Sequence, residues 1–147
     1  MRVWKSVRTE AELNAGREGT LNAHLAIEFT EIGDDFIRGT MPVDGRTKQP
    51  YGLLHGGASV ALAETLGSAG ANMCVDIKES LCVGQEINAN HVRSARSGFV
   101  TGTARPVYLG GRSQVWTIDI VDDARILVCT ARLTVAVLRR GSGGSSP

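Results

Sequence analysis

A short run of small residues contains the groups best suited to acyl chemistry. His55, Gly56 and Gly57 open the segment 55–71, in which Ala, Gly and Ser occupy eleven of the seventeen positions. Glu64 is the only acidic or basic residue of this segment besides the histidine. A carboxylate among small and apolar residues is costly unless it is paired, so its presence needs a reason. A general base or a nucleophile is one such reason, and a structural or solvated network is the alternative.

The glycines at positions 56 and 57 lie where a helix predicted from this segment begins. The first amides of a helix have no acceptor within it, and the helix dipole adds positive potential there. Such amides suit a carbonyl oxygen that becomes negative during acyl transfer. Glycines that only permit close packing would produce the same pattern, so the residues leave both interpretations open.

The spacing along this helix predicts an assembly. Nine residues separate His55 from Glu64, which is about 13 Å of rise and half a turn on an ideal helix. The two side chains therefore cannot share one small site within a chain, whereas Ser68, four residues after Glu64, lies on the same helix face. If the helix start and Glu64 act together, they come from two subunits across a two-fold interface. This predicts a homodimer at least.

A second set of polar and basic candidates follows in the later part of the chain: His91, Arg93, Ser94, Arg105, Gly110 and Arg112. A period of two predicts a strand over 81–96, with the first two of these residues on one face. Arginine side chains and the exposed amides of a glycine turn can bind phosphates. Solvated basic residues on an outer sheet face are the commoner alternative.

The remaining pattern predicts the elements that position these candidates. Two short helical pieces are expected over 9–25, where Thr9 and Glu12 fit a capping box, and one long helix is expected over 55–71. Residues 44–54 read as a loop. Alternating apolar residues between turn signals predict strands at 26–30, 35–43, 81–96, 98–108, 112–122 and 126–138. One long helix on a long antiparallel sheet is a two-layer α+β domain.

Composition excludes several classes of protein. The chain of 147 residues fits one domain, 1–140, followed by a Gly/Ser tail at 141–147. A formal charge of +1 gives no basic footprint for nucleic acid. Three cysteines without CxxC spacing suggest neither a disulfide framework nor a zinc site, and Cys74 reads as a packing residue. Without an apolar leader or spanning segment, a cytoplasmic protein with no membrane partner is expected.

Two stretches of the sequence, 41–68 and 84–96, resemble the hotdog-fold acyl-CoA thioesterases, in the subgroup whose catalytic carboxylate lies on the central helix. The similarity covers roughly residues 21–138. It implies a hotdog fold, in which a curved antiparallel sheet wraps one long helix, and an assembly of two dimers into a homotetramer. It implies hydrolysis of aryl or acyl thioesters of coenzyme A, or of the same thioesters on a carrier protein, with no metal or other cofactor.

The resemblance also implies roles for single residues. Glu64 would be the catalytic base or nucleophile, and the Gly56 amide would polarise the thioester carbonyl. Gln49 and His55 would contact the thioester region, and Ser68 would hold the attacking water or the acyl group.

The substrate contacts implied by the resemblance lie elsewhere. His91, Arg93 and Ser94 would lie near the nucleotide end of coenzyme A, to which we add Gly110 and Arg112 as candidate phosphate contacts. Tyr51 stands where the family favours Phe, in the expected acyl pocket, so the resemblance does not define the acyl group.

Two other functions remain open at this point. A hotdog hydratase or dehydratase needs a histidine and a carboxylate near the acyl chain, and His55 with the partner's Glu64 could supply them. A non-catalytic acyl-CoA-binding module is the third interpretation, although a desolvated carboxylate adds little to a binding pocket. Product analysis separates these functions, because only a thioesterase releases free thiol.

Overall fold

The six strands of the protein form one antiparallel sheet, and its long helix packs across one face. The computed structural model describes residues 1–141, so the predicted tail lies outside the described residues except for Gly141. The elements in chain order are α1 (Glu10–Ala15), α2 (Leu21–His24), β1 (Glu28–Ile32), β2 (Ile37–Pro42), α3 (Gly56–Met73), β3 (Ser80–His91), β4 (Phe99–Leu109), β5 (Ser113–Asp122) and β6 (Leu127–Arg139). The strand order is β1-β2-β4-β5-β6-β3. This arrangement confirms the predicted α+β hotdog fold.

Most predicted boundaries lie within two residues of the observed ones, and the end of β3 is the exception. The strand predicted to reach residue 96 ends at His91. The amides of Val92 and Arg93 both donate to the Val128 carbonyl, at 2.9 and 3.2 Å, so the chain turns out of the sheet there. Arg93 and Ser94 therefore lie in a turn, and the prediction that they occupy faces of a strand is wrong.

The small residues of α3 allow the helix to approach the sheet closely. A Cβ at Gly67 would lie 2.5 Å from Leu133 Cδ2, and a Cβ at Gly70 would lie 2.8 Å from the ring of Trp116. Both sheet residues are fully buried and form the centre of the core. Gly67 and Gly70 are therefore required for packing, as the frequency of small residues in the sequence suggested.

The amino-terminal segment closes one end of this core. The predicted capping box is present, with the Thr9 amide donating to the Glu12 carboxylate at 2.7 Å. Trp4 stacks against Trp116 with ring centroids 6.3 Å apart, and its Nε1 donates to the Gly33 carbonyl. Among the helices of residues 1–141, none has the length and hydropathy needed to cross a bilayer.

Candidate active site

The start of α3 presents one backbone amide without an acceptor. His55 is the N-cap residue, and its Nδ1 accepts a hydrogen bond from the Gly57 amide at 2.8 Å. The Gly56 amide donates to no acceptor within the described residues. A Cβ at Gly56 would lie 2.8 Å from His91 Nε2, so a side chain here would displace the exposed imidazole. Of the two candidate oxyanion donors, the fold engages one and leaves the Gly56 amide available.

This amide borders a cavity of about 380 Å³. The cavity is lined by four parts of the chain, which are the loop before α3, the first turn of α3, the end of β3 with the turn after it, and β6. The lining residues are Gln49, Leu53, Leu54, Gly56, Ser59, His91, Val92, Arg93, Ser94 and Val128. Five of the predicted site residues thus come together in one chain. Apolar and polar lining residues occur side by side, as in sites that hold an extended ligand with a polar reacting group.

The loop before the helix directs the Gln49 side chain. The Gln49 amide donates to the Leu53 carbonyl at 2.8 Å, and its carbonyl accepts from the Gly52 amide at 2.9 Å. Its side-chain oxygen accepts from the Tyr51 amide, which leaves the Nε2 donor for a ligand in the cavity. Tyr51 is 86% exposed and is not among the residues that line this cavity.

Glu64 lies in a second, open cavity on the far part of the same helix. Its Oε1 accepts a hydrogen bond from the Ser68 hydroxyl at 2.8 Å, which places both residues on one helix face as predicted. The half-buried carboxylate packs against Gly84 of β3, where a Cβ would lie 2.3 Å from Oε1. At this point β3 has a bulge, because Gly84 and Glu86 pair with consecutive residues of β6 and Gln85 is left over. The bulge bends β3 beside the carboxylate.

The two groups of candidates do not meet within one chain. The cavity beside Glu64 is lined by Glu64 and residues 84–87, and it shares no residue with the cavity beside Gly56. The eight residues from Gly56 to Glu64 correspond to about 12 Å of helix rise. This separation agrees with the expectation from helix geometry that a joint site needs two subunits.

Three of the predicted phosphate contacts lie far from His91 in the same chain. The Arg112 carbonyl accepts from the Val137 amide at 2.9 Å, so Gly110 and Arg112 lie in the hairpin beside the end of β6, where β3 begins. β3 extends for about 35 Å from there to His91. Arg105 instead forms an ion pair with Asp35 at 2.6 Å.

Two residues of the site were missed by the sequence analysis. Ser59 lines the cavity and is only 1% exposed. It lies three residues after Gly56 and therefore on the same helix face, and this spacing would have identified it. Gly84 provides the space for the Glu64 carboxylate, and a glycine within a predicted strand is the usual sign of a bulge.

The cysteines have the properties of packing residues. Burial raises the pKa of the Cys74 thiol to about 12, and burial also raises the pKa of the Cys82 and Cys129 thiols. A neutral buried thiol is a poor nucleophile. Within residues 1–141, His, Cys, Asp and Glu side chains form no group that could hold a metal ion.

Comparison with known proteins identifies the family. The model of the thioesterase superfamily matches residues 51–129, which include the first turn of α3, Glu64 and His91. The 1,4-dihydroxy-2-naphthoyl-CoA hydrolase of Escherichia coli is 54% identical over 136 residues, which are 92% of this chain and 99% of that protein.

Solved structures give the same result. A mutant of thioesterase PA1618 from Pseudomonas aeruginosa is 45% identical and superposes with a TM-score of 0.92 over 94% of this chain and 99% of its own. A Staphylococcus aureus thioesterase, SAV0944, has been solved as a glutamate-to-alanine variant and as a glutamine-to-alanine variant. The first is 38% identical to this chain, with a TM-score of 0.79 over 82% of this chain and 99% of its own. With these sequence and structural similarities, the chain belongs to the thioesterase superfamily and is a thioester-hydrolysing enzyme.

Proposed function

We propose that the protein hydrolyses aryl- or acyl-CoA thioesters in a site shared by two protomers. Glu64 of one protomer and the Gly56 amide of its partner act on the same thioester. The observation that carries this proposal is the Gly56 amide, which lacks an acceptor and borders a cavity with both apolar and polar walls. The name of the E. coli relative supports coenzyme A as the thiol and an aromatic acyl group.

The open edge of the sheet supports a specific pairing of two protomers. β3 is the last strand of the sheet, so one of its edges has no partner strand among the described residues. Glu64 contacts Gly84 on this strand, and Gly56 contacts His91 at its end. If two β3 strands pair antiparallel with Gly84 and Gln85 opposite the partner's His91, Glu64 comes beside the partner's Gly56. The two-fold axis of this dimer passes near Asn88.

In this site the thioester carbonyl accepts a hydrogen bond from the Gly56 amide, supported by the dipole of α3. The Nε2 of Gln49 is a second donor for the carbonyl. The His55 side chain holds the first turn of the helix in place through the Gly57 amide. These groups stabilise the negative charge that develops on the carbonyl oxygen when the tetrahedral intermediate forms.

Glu64 supplies the other half of the reaction. Ser68 donates to Oε1, which leaves Oε2 to act on the substrate or on water. As a base, Glu64 takes a proton from water; the hydroxide adds to the carbonyl carbon, the C–S bond breaks, and the thiolate leaves and takes up the proton. As a nucleophile, Glu64 attacks the carbonyl carbon, the C–S bond breaks as the thiolate leaves, and water then cleaves the resulting anhydride to the free acid and the Glu64 carboxylate. Both routes use only protein groups and water, so the proposal invokes no cofactor.

The Staphylococcus thioesterase offers independent support for the two residue types. The glutamine and the glutamate that were replaced by alanine in its two variants are fifteen positions apart in that chain. Gln49 and Glu64 are also fifteen positions apart. The matching separation supports Gln49 and Glu64 as the corresponding pair in this protein.

Thiol release from a panel of benzoyl-, hydroxybenzoyl-, naphthoyl- and straight-chain acyl-CoAs tests the function. We expect turnover by the wild type and a loss of roughly 10³-fold in kcat in Glu64→Ala and Glu64→Gln. Glu18→Ala, which removes an exposed carboxylate between α1 and α2, serves as the matched control.

Several outcomes distinguish the mechanisms. An acyl group found on Glu64 by mass spectrometry during turnover identifies the nucleophilic route. A hydrated thioester in place of free thiol would indicate the hydratase alternative, and full activity in Glu64→Gln would contradict the proposed role of the carboxylate.

A further inference from the structure

An asparagine in the last turn of α3 binds the backbone of β3. The Cys82 amide donates to Asn72 Oδ1 at 2.9 Å, and Asn72 Nδ2 donates to the Cys82 carbonyl at 3.0 Å. The same Nδ2 also donates to the Ser68 carbonyl at 2.9 Å. A side-chain amide has two donor hydrogens and one acceptor oxygen, so both ends of this half-buried group are engaged.

These hydrogen bonds lie on the open edge of β3. Cys82 pairs with Val137 of β6, but the Val137 amide donates to the Arg112 carbonyl instead. Opposite residues of an antiparallel pair exchange both of their hydrogen bonds or neither, so the backbone groups of Cys82 point away from β6. The Asn72 side chain therefore occupies the position of a neighbouring strand at Cys82.

The same edge becomes available to a partner two residues later, beside Glu64. Alternate residues of a strand direct their backbone groups to the same edge, so the next groups on this edge after Cys82 belong to Gly84. Glu64 packs against Gly84, and the bulge of β3 follows directly. The strand is thus bound to its own helix immediately before the part that pairs in the proposed dimer.

The opposite edge of the sheet has an equivalent asparagine. The Phe29 amide donates to Asn14 Oδ1 at 2.8 Å, and Asn14 Nδ2 donates to the Phe29 carbonyl at 2.9 Å. Asn14 is also half-buried and helical, and β1, to which Phe29 belongs, is the other edge strand. Neither residue lines the cavity beside Gly56 or the cavity beside Glu64. Asn14 therefore makes the same kind of link at a distance from the site.

We propose that Asn72 is a positioning residue of the thioesterase site, which fixes Glu64 on α3 relative to the edge of β3 that pairs with the partner. The inference rests on the proposed function and on its pairing of β3 strands. In that dimer the paired strands place the partner's Gly56, whereas α3 places Glu64. The bonds from Asn72 to Cys82 connect the strand to the helix. The bond from Asn72 to the Ser68 carbonyl extends this connection to the residue whose hydroxyl holds Glu64.

Loss of the Asn72 amide weakens the connection without removing a substrate contact. The hydrogen bond that remains between the Cys82 side chain and α3 is the one from Sγ to the Ala71 carbonyl at 3.4 Å, and a thiol is a weak donor. β3 can then shift relative to α3, which moves the partner's Gly56 amide away from a carbonyl oxygen bound beside Glu64. Asn72 lines neither cavity of the site, so the change affects the chemical step more than substrate binding.

The test compares Asn72→Ala with the matched control Asn14→Ala in the full-length protein, by thiol release from benzoyl-CoA. We expect kcat to fall about tenfold in Asn72→Ala, with KM within about twofold of the wild type. This loss is smaller than the roughly 10²-fold effect of a 1 Å misplacement, because Ser68 still holds Oε1 of Glu64. Asn14→Ala should keep the kcat and KM of the wild type. Urea denaturation shows that both variants are folded under the conditions of the assay.

Amide hydrogen exchange tests the link itself, independently of activity. In the wild type, the Cys82 amide should be protected although it lies on an open strand edge, because Asn72 Oδ1 accepts its hydrogen. In Asn72→Ala its exchange should accelerate, whereas in Asn14→Ala only the Phe29 amide should lose protection. An unprotected Cys82 amide in the wild type would overturn the inference.

Two kinetic results would also overturn it: an unchanged kcat in Asn72→Ala, or an equal fall of kcat in Asn72→Ala and Asn14→Ala. The second result would indicate general loss of stability and no specific placement of Glu64. Both leave the thioesterase activity of the wild type in place, so they contradict the role of Asn72 alone. Absence of thiol release by the wild type contradicts the proposed function instead.

Discussion

Gly56 combines a close contact with a backbone amide that is available to a ligand. Its missing side chain leaves room for His91, and its amide has no acceptor in the described chain. The sequence left packing and oxyanion binding as alternatives for the glycine pair. The structure assigns the Gly57 amide to the N-cap histidine, so the two glycines have different roles.

Substitution of Gly56 by alanine tests the importance of this contact. The new methyl group would lie 2.8 Å from His91 Nε2, so the imidazole or the helix start must shift. Because catalysis depends on precise placement of the amide, we expect kcat to fall by about tenfold or more, toward the roughly 10²-fold effect of a 1 Å misplacement. Gly16→Ala, where the nearest atom to the new Cβ is 3.8 Å away, is the control, and full activity in Gly56→Ala would contradict the expected displacement of the helix start.

The reactivity of Cys74 is a second prediction at the residue scale. Burial raises its pKa to about 12, so at pH 8 the neutral thiol predominates, and only the thiolate reacts with alkylating agents. We expect labelling of Cys74 by iodoacetamide to be slow in the native protein and to accelerate when urea unfolds it. Stoichiometric labelling of the native protein within minutes would contradict this prediction.

At the scale of elements, α3 and β3 carry the site, and both depend on glycine. α3 lies close to the sheet because Gly67 and Gly70 contact Leu133 and Trp116 directly. The bulge at Gly84 bends β3 where the Glu64 carboxylate is placed. The sheet and the helix are thus shaped by positions that carry no side chain.

Replacement of Gly67 by alanine should destabilise the protein. Alanine favours a helix over glycine by up to about 1 kcal/mol, but its Cβ would lie 2.5 Å from Leu133 Cδ2 in a fully packed core. Overpacking costs about 1–3 kcal/mol, so the net loss in the free energy of unfolding should be about 1 kcal/mol. Urea denaturation measures it as a lower midpoint with an unchanged slope, and a higher midpoint would show that helix propensity dominates.

At the scale of the whole molecule, the proposed site exists only between protomers. Each chain carries Glu64 in one cavity and Gly56 in another, and neither cavity holds both groups. A dimer with β3 strands paired at the open edge contains two shared sites. The family resemblance extends this expectation to a tetramer of two dimers.

Complementation between inactive variants tests the shared site. Glu64→Ala and Gly56→Val are each expected to be inactive, but a mixed dimer has one site with both groups intact. After equal mixing and subunit exchange, activity should return to about a quarter of the wild-type value, because half of the dimers are mixed and each has one working site. The control is a mixture of Glu64→Ala with Ser68→Ala, whose two positions lie in the same half-site, so its activity should not exceed the average of the two separate variants. Activity above that average, or no recovery in the first mixture, would contradict the shared site.

Much of the secondary structure of this protein can be predicted from the sequence, because it depends on local residue patterns. The two-residue period identified five of the six strands to within two residues, the run of small residues identified α3 equally well, and the capping box at Thr9 formed as predicted. The placement of Ser68 beside Glu64 follows from helix geometry alone. The rise per residue of a helix also predicts that His55 and Glu64 lie too far apart to share one small site within a chain.

Only the tertiary structure decided which residues from distant segments meet. Hydrogen bonds between Val128 and residues 92 and 93 end β3 early and turn Arg93 toward the cavity, and no local pattern reports them. The pairing of β3 with β6 placed Arg139 at the end of β3 opposite to His91, and the hydrogen bond from the Val137 amide placed Arg112 there as well. The local sequence determines the helices and strands, because residue periodicity and helix caps act over a few residues. The functional site depends on contacts between residues from distant segments, which are set by the register in which the strands pair.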